Sequence, residues 1–201
     1  MPRPKKTEEE IQAMRERILD AALAQLQAEG VEGLSIRKIA DRISVSHMSL
    51  YHYFENRAAL IKALRERAYA RMETFCVESL RRAETGDVLA QIRGVLTRFI
   101  QLSHDHPKLY QLAWRRSSDD TSWEVDSQNL TRILDHHARL IQRCIERGQC
   151  TERDPALAAE MAFSIVNGTL VLVHNLAPVG QKAPDQLESE MIEAAIAYLT
   201  G

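Results

Sequence analysis

Apolar side chains recur along this chain at steps of three and four residues, interrupted at a few points by Gly, Pro and short polar runs. That is the period of amphipathic helices, not of strands. Thr7 followed by Glu10 predicts a capping-box start, and Ile11, Met14, Ile18 and Ala22 then share the face of a first helix ending at Gly30. Ser35 predicts the cap of a short second helix to about Ile43, and Ser46 that of a short third to about His52. Asn56 predicts the start of a long fourth helix, with Ile61, Leu64, Ala68, Met72 and Phe75 along one stripe. Val88, Ile92, Val95, Phe99 and Leu102 mark a fifth helix, and a sixth runs from Pro107 to about Arg116. Past the polar stretch 117–122, Leu130, Leu134, His137, Ile141 and Cys144 trace a seventh up to Gly148. Asp154-Pro155 opens an eighth to about Leu176, and Asp185 with Glu188 a ninth ending at Tyr198 or Leu199. The expectation is an all-α chain of nine helices.

Between Gly30 and Asn56 the predicted helices are unusually short. Two of them flank a tight turn at Ser44-Val45, the arrangement of a helix-turn-helix. Ile36, Ile39, Ala40 and Ile43 supply a buried face, Val45 and Leu50 can pack the second short helix onto it, and His47, Met48, Ser49 and His52 are left facing out. A helix held in this way can enter a major groove with its N-terminal residues at base edges. The same spacing also fits a plain helical corner in which Ser46 merely caps and the tyrosines fill a core, or a helical protein-interaction module that never touches nucleic acid.

Composition adds boundaries. With 201 residues, 45% of them hydrophobic and 27% charged, the chain suits compact folded domains. The net charge of −2 offers no general attraction to polyanions. Cys76, Cys144 and Cys150 lack the paired spacing of a zinc site and read as reduced thiols, so no metal or cofactor is expected. The N-terminus runs from Met1-Pro-Arg-Pro-Lys-Lys into acidic residues and does not read as a secretory signal. Met161 to Leu176, broken by Ser164, Asn167, Thr169 and His174, reads as too short in apolar residues for a membrane span. A cytoplasmic protein without a membrane partner is expected.

Over about residues 11–65 the sequence resembles the TetR-type (tetracycline-repressor-like) family of bacterial transcription regulators. The resemblance is carried by Ile18-Leu-Asp-Ala-Ala22, Gly30, Gly33-Leu-Ser-Ile-Arg-Lys-Ile-Ala40, Val45-Ser46 and above all Leu50-Tyr-His-Tyr-Phe-Glu-Asn-Arg-Ala-Ala-Leu60. Four positions depart from the family pattern: Ser44 stands where Gly is usual, Tyr53 where His is, Arg57 where Lys is, and Met48 where a small residue is common. The resemblance implies that Ser35, Ser46, Tyr51, Tyr53 and Arg57 anchor DNA phosphates, while Arg37, His47, Met48 and Ser49 face bases. Arg37 can pair bidentately with a guanine edge and Met48 can touch a thymine methyl. The basic arm Arg3, Lys5 and Lys6 reads either as a solvated tail or as further backbone contacts. The near-neutral total is an average, since residues 1–75 carry +2 and residues 76–201 carry −4.

The resemblance further implies a two-domain organisation: a DNA-binding domain at 1–56 and a helical ligand-binding and dimerisation domain at 57–201, joined by helix four (56–84). It implies a homodimer on a palindromic double-stranded operator, acting as a repressor released by a small-molecule effector that the sequence does not identify. Polar residues on otherwise apolar stripes, His137, Asn167 and His174, are candidates for lining a pocket, with Phe99, Tyr110, Trp114 and Trp123 as aromatic walls. His104, His106 and His136 fall beside turns or on solvent faces. Gly-rich phosphate loops, a His-Glu-x-x-His helix and an activated nucleophile are all missing from the sequence, so catalysis is not expected.

Overall fold

The structure is a computed structural model describing residues 7–114, 123–175 and 184–201, and the side chains of all of these except 123–127, 175, 184 and 185. Among the described residues there are nine helices and no strand: α1 Glu8–Glu29, α2 Ile36–Arg42, α3 His47–Tyr51, α4 Arg57–Arg82, α5 Val88–Asp105, α6 Pro107–Trp114, α7 Trp123–Glu146, α8 Pro155–Asn175 and α9 Pro184–Thr200. The arm Arg3, Lys5 and Lys6 and the side chain of Trp123 lie outside the described residues.

The helices start where side-chain oxygens can accept the otherwise orphaned first-turn N–H groups. Thr7 and Glu10 form the reciprocal capping box, with bonds of 2.9 and 3.2 Å. Ser46 Oγ accepts from Ser49 N at 3.1 Å, Asn56 Oδ1 from Ala59 N at 2.8 Å, and Asp154 Oδ1 from Ala156 N at 2.8 Å. The turn between α2 and α3 places Ser44 at φ 55°, the left-handed region in which its Cβ crowds the following carbonyl.

The chain forms two compact units. The first holds α1 to α3, α4 as far as Arg67, and α6 from Lys108; the second holds α4 from Ala68, α5, and α7 to α9. In the first unit Ile18, Ala22 and Leu26 of α1, Ile39 and Ala40 of α2, Leu50 of α3, Phe54, and Leu60 and Leu64 of α4 are all buried. Arg65, itself buried, donates from Nε to the carbonyl of Leu112 at 3.0 Å and so ties α6 to α4.

In the second unit α8 packs against both α7 and α9. The buried face of α7 runs through Asn129, Ile133, His137, Leu140, Ile141 and Cys144, leaving Leu130 and Leu134 half-buried. Two sequence expectations are corrected here. Cys144 and Cys150 are joined in a disulfide with Cα atoms 5.2 Å apart, and only Cys76 remains a thiol. Gly148, at φ 66°, turns the chain back after α7, and Gln149 N and Cys150 N both donate to Cys144 O, bringing residue 150 onto the helix end. Pro155–His174 of α8, with a mean hydropathy of 1.8, is also long and apolar enough to cross a membrane by length and composition. The stretch from Met161 leaves out Pro155 to Glu160, nearly two turns of the helix; in the fold Ala158, Ala159, Ala162, Phe163, Val166 and Leu170 of this helix are buried against protein.

Candidate functional sites

α3 is barely more than one turn, and its sequence gives it one inward anchor. Leu50 is completely buried, and Phe54 just beyond is nearly so. With that side occupied, Met48 is 70% exposed and Tyr51 48%, while Ser46 and His52 are also exposed. The Ser46 and Ser49 hydroxyls lie 2.8 Å apart, and His47 Nε2 sits 3.1 Å from Asp41 Oδ1 of α2. The outward face of α3 therefore combines hydroxyls, an imidazole, a thioether and a phenol on a turn seated by Leu50. At the start of α2, Ser35 accepts from Lys38 N, and Arg37 is exposed with no partner among the described residues. Lys38 is paired with Glu29 at 2.6 Å and Arg42 also acts electrostatically on that carboxylate, which leaves Arg37 as the cation of α2 with no ion-pair partner among the described residues.

Arg57 is engaged differently from the other predicted anchors. Its Nε donates to Leu34 O at 3.1 Å and its Nη2 to Val31 O, which staples the first turn of α4 to the loop before α2. Two further arginines brace the unit in the same manner. Arg15 Nη1 donates to Tyr53 O at 2.5 Å with its guanidinium 4.4 Å over the Phe54 ring, and Arg17 Nη2 donates to Ile43 O at 2.8 Å. These bonds fix the ends of α2 and α3 through backbone carbonyls, adding to the anchor that Leu50 provides.

The residues predicted to line a pocket are divided between the units. Tyr110 and Trp114 on α6 belong to the first, with ring centroids 6.2 Å apart; burial raises the Tyr110 hydroxyl above its ordinary pKa. Phe99, His137, Asn167 and His174 belong to the second. Phe99 packs on Phe163 at 5.2 Å, and His174 Nε2 lies 3.0 Å from Ser103 Oγ. Burial and the neighbouring His104, whose ring is 5.5 Å away, both lower the His174 pKa.

His137 is buried, lines a small cavity, and has no hydrogen-bond partner for Nε2 among the described residues. Burial first and the neighbouring His136 second push its pKa down to about 4, so it is a neutral imidazole. Glu73, Arg132 and Asn129 escaped the sequence reading. Glu73 of α4 faces Arg132 and His136 of α7 at 3.4 and 3.6 Å, and buried Asn129 accepts from Arg132 at 2.5 Å while its Nδ2 has no partner among the described residues. Asn129 sits in the polar run Asp126-Ser-Gln-Asn129, which hides an inward position; only the helical step from Asn129 to Ile133 and Leu140 reveals it. Among the described residues no group of His, Cys, Asp and Glu suits a metal.

Comparison with known proteins gives this geometry a context. Residues 18–64 match the family model for bacterial regulatory proteins of the tetR family. The chain is 42% identical over 60 residues to the tetracycline repressor protein class A from transposon 1721 of Escherichia coli, covering 30% of this chain and 28% of that one. It is 34% identical over 84 residues to an uncharacterized HTH-type transcriptional regulator from the dhlA 5′ region of Xanthobacter autotrophicus, covering 42% of each. Both alignments thus span less than half of the curated relatives. A solved SmeT–triclosan complex superposes with a TM-score of 0.72 at 26% identity, over 94% of this chain and 93% of that one.

Proposed function

We propose that this chain, whose residues 18–64 match the tetR family of bacterial regulatory proteins, is a sequence-specific DNA-binding transcription regulator of that family: a homodimeric repressor that a small molecule releases from a palindromic operator. The observation that carries the reading is the short α3, seated by Leu50 and capped by Ser46, with His47, Met48, Ser49 and Tyr51 left on one accessible turn. Hydroxyl groups and the Ser46-capped helix start suit phosphate, which fixes register; Arg37, His47 and Met48 suit base edges, which carry sequence information. Ser35, Ser46, Tyr51 and Tyr53 serve as phosphate anchors in this reading. Arg57 acts mainly by holding α4 against the loop that precedes α2.

The first unit takes the DNA role, and the second takes effector binding and dimerisation. Support for the dimer comes from α8. Leu157, Met161 and Leu172 are 55%, 41% and 49% exposed, and a Cβ at Gly168 would meet nothing within 4 Å. These four positions share one helix face, an uncovered apolar stripe that a second copy's equivalent face would bury about a two-fold axis. The same pairing accounts for so apolar a helix in a cytoplasmic protein. Support for an effector comes from the SmeT structure, a complex with triclosan.

α4 is a single unbroken helix from Arg57 to Arg82, and in the second unit α7 grips its C-terminal end. Arg143 donates to Leu80 O at 2.7 Å, and Arg147 to Ala83 O at 2.9 Å and Glu84 O at 2.8 Å. An effector that moves α7 therefore pulls on α4, and the paired α3 helices leave the spacing of roughly 34–36 Å set by successive major-groove half-sites.

The test is an electrophoretic mobility shift with the DNA upstream of the gene. Binding that weakens steeply between low and high salt supports the regulator. No binding at low salt overturns it.

A further inference from the structure

Within the second unit α5, α7 and α8 close around a cavity of about 10 Å³, whose walls include Ile92, Leu96, Ile141, Ala159 and Ala162. That volume holds about one water. Every described side chain lining it is hydrocarbon except one, His137. His137 is 93% buried, being 7% exposed, and its Nε2 has no hydrogen-bond partner among the described residues. A leucine here would fill the site without leaving a desolvated nitrogen unpaired, so the imidazole needs an explanation other than packing.

We propose that His137 is the polar anchor of the effector site and that the effector it selects is an uncharged, largely apolar compound presenting a hydroxyl to Nε2. This rests on the reading that the second unit binds a small-molecule effector. The neutral imidazole can offer Nε2 as donor or acceptor according to its tautomer, and a hydroxyl, which both donates and accepts, satisfies either. A carboxylate or ammonium would enter hydrocarbon walls that hold no opposite charge, losing its hydration without recompense. Glu73 faces His136, the residue before His137 on α7, and does not line the cavity.

The small volume supplies the link to regulation. Anything larger than a water must part α7 from α5 and α8, and the alanines on the α8 side leave little side chain to resist. The segment displaced carries both His137 and His136, and His136 faces Glu73 on α4. Occupation of the cavity and displacement of α4 are thereby one event.

The experiment uses the full chain with phenol and toluene, which share a shape and differ by hydroxyl against methyl, and with benzoate as the charged counterpart. Calorimetry and thermal shift are run on the wild type and on His137→Phe, with the imidazole nitrogen resonances of the wild type followed during each titration. The expected result is phenol binding at least tenfold tighter than toluene, benzoate not binding, a phenol-dependent shift of the His137 Nε2 resonance, and loss of the phenol preference in His137→Phe. Should that variant fail to fold, the wild-type resonance and the phenol-to-toluene ratio decide. Equal affinities for phenol and toluene, an unmoved resonance, or no binding with one ordered water on Nε2 overturns the assignment. Mobility shifts on the same samples separate the two readings: DNA binding without a phenol preference removes only the role of His137, whereas a phenol preference without DNA binding removes the regulator and leaves the cavity site standing.

Discussion

Acidification tests the burial of His137 most directly. An unfolded histidine titrates near 6.5, whereas the folded protein holds His137 at about 4. Between those values the unfolded chain binds a proton that the folded chain refuses, so the stability due to the neutral imidazole is fully present above pH 6.5 and is lost as pH falls toward 4. Linkage with these two pKa values gives a loss of about 2 kcal/mol between pH 7.5 and pH 5. His106 and His174 are also lowered and add losses of the same sign, so the total for the wild type exceeds that of one residue. The His137 part is isolated by comparing urea melts of wild type and His137→Phe at both pH values. The variant, whatever its absolute stability, is expected to lose about 2 kcal/mol less than wild type on acidification. Parallel losses in the two proteins would show that His137 is solvated or already paired, and would refute the reasoning.

Tyr51→Ala is expected to weaken binding to all DNA sequences about equally, whereas Arg37→Ala should relax preference at one position per half-site by about 1–3 kcal/mol, read from a panel of single-base operator variants. Arg57→Ala removes two donors from the carbonyls of Leu34 and Val31 and should cost about 1–3 kcal/mol of folding stability, measured by denaturation without DNA. An unchanged midpoint would return Arg57 to a purely phosphate-binding role. Ser44→Gly relieves the left-handed backbone at φ 55° and is expected to raise stability by about 1 kcal/mol with the α2–α3 turn unchanged. Met161→Glu places a charge in the exposed α8 stripe and should convert dimers to monomers in sedimentation while the helical content stays intact.

The helices were legible because their signals are local. Thr7, Ser35, Ser46, Asn56, Asp87 and Asp154 cap in the structure through bonds to residues two or three positions away, distances that periodicity and residue type already encode. The outward face of α3 was legible for the same reason, since on so short a helix Leu50 leaves few alternatives. Other features were not. The pairing of Cys144 with Cys150 depends on the left-handed turn at Gly148. Motif position marked Arg57 as a charge at the head of α4, yet two of its N–H groups bond carbonyls more than twenty residues earlier.

The sequence by itself determined where helices begin and end, and that two short ones form a helix-turn-helix, because hydrogen bonding to the next turn and a period of 3.6 residues are properties of neighbouring residues. Tertiary structure decided which face of each helix meets which partner. It assigned α6 to the first unit through Arg65 and Leu112, turned Asn129 inward on α7, and left His137 Nε2 without a partner among the described residues beside a small cavity. Those outcomes depend on residues far apart in the chain competing for the same interior volume, a contest that no local pattern records.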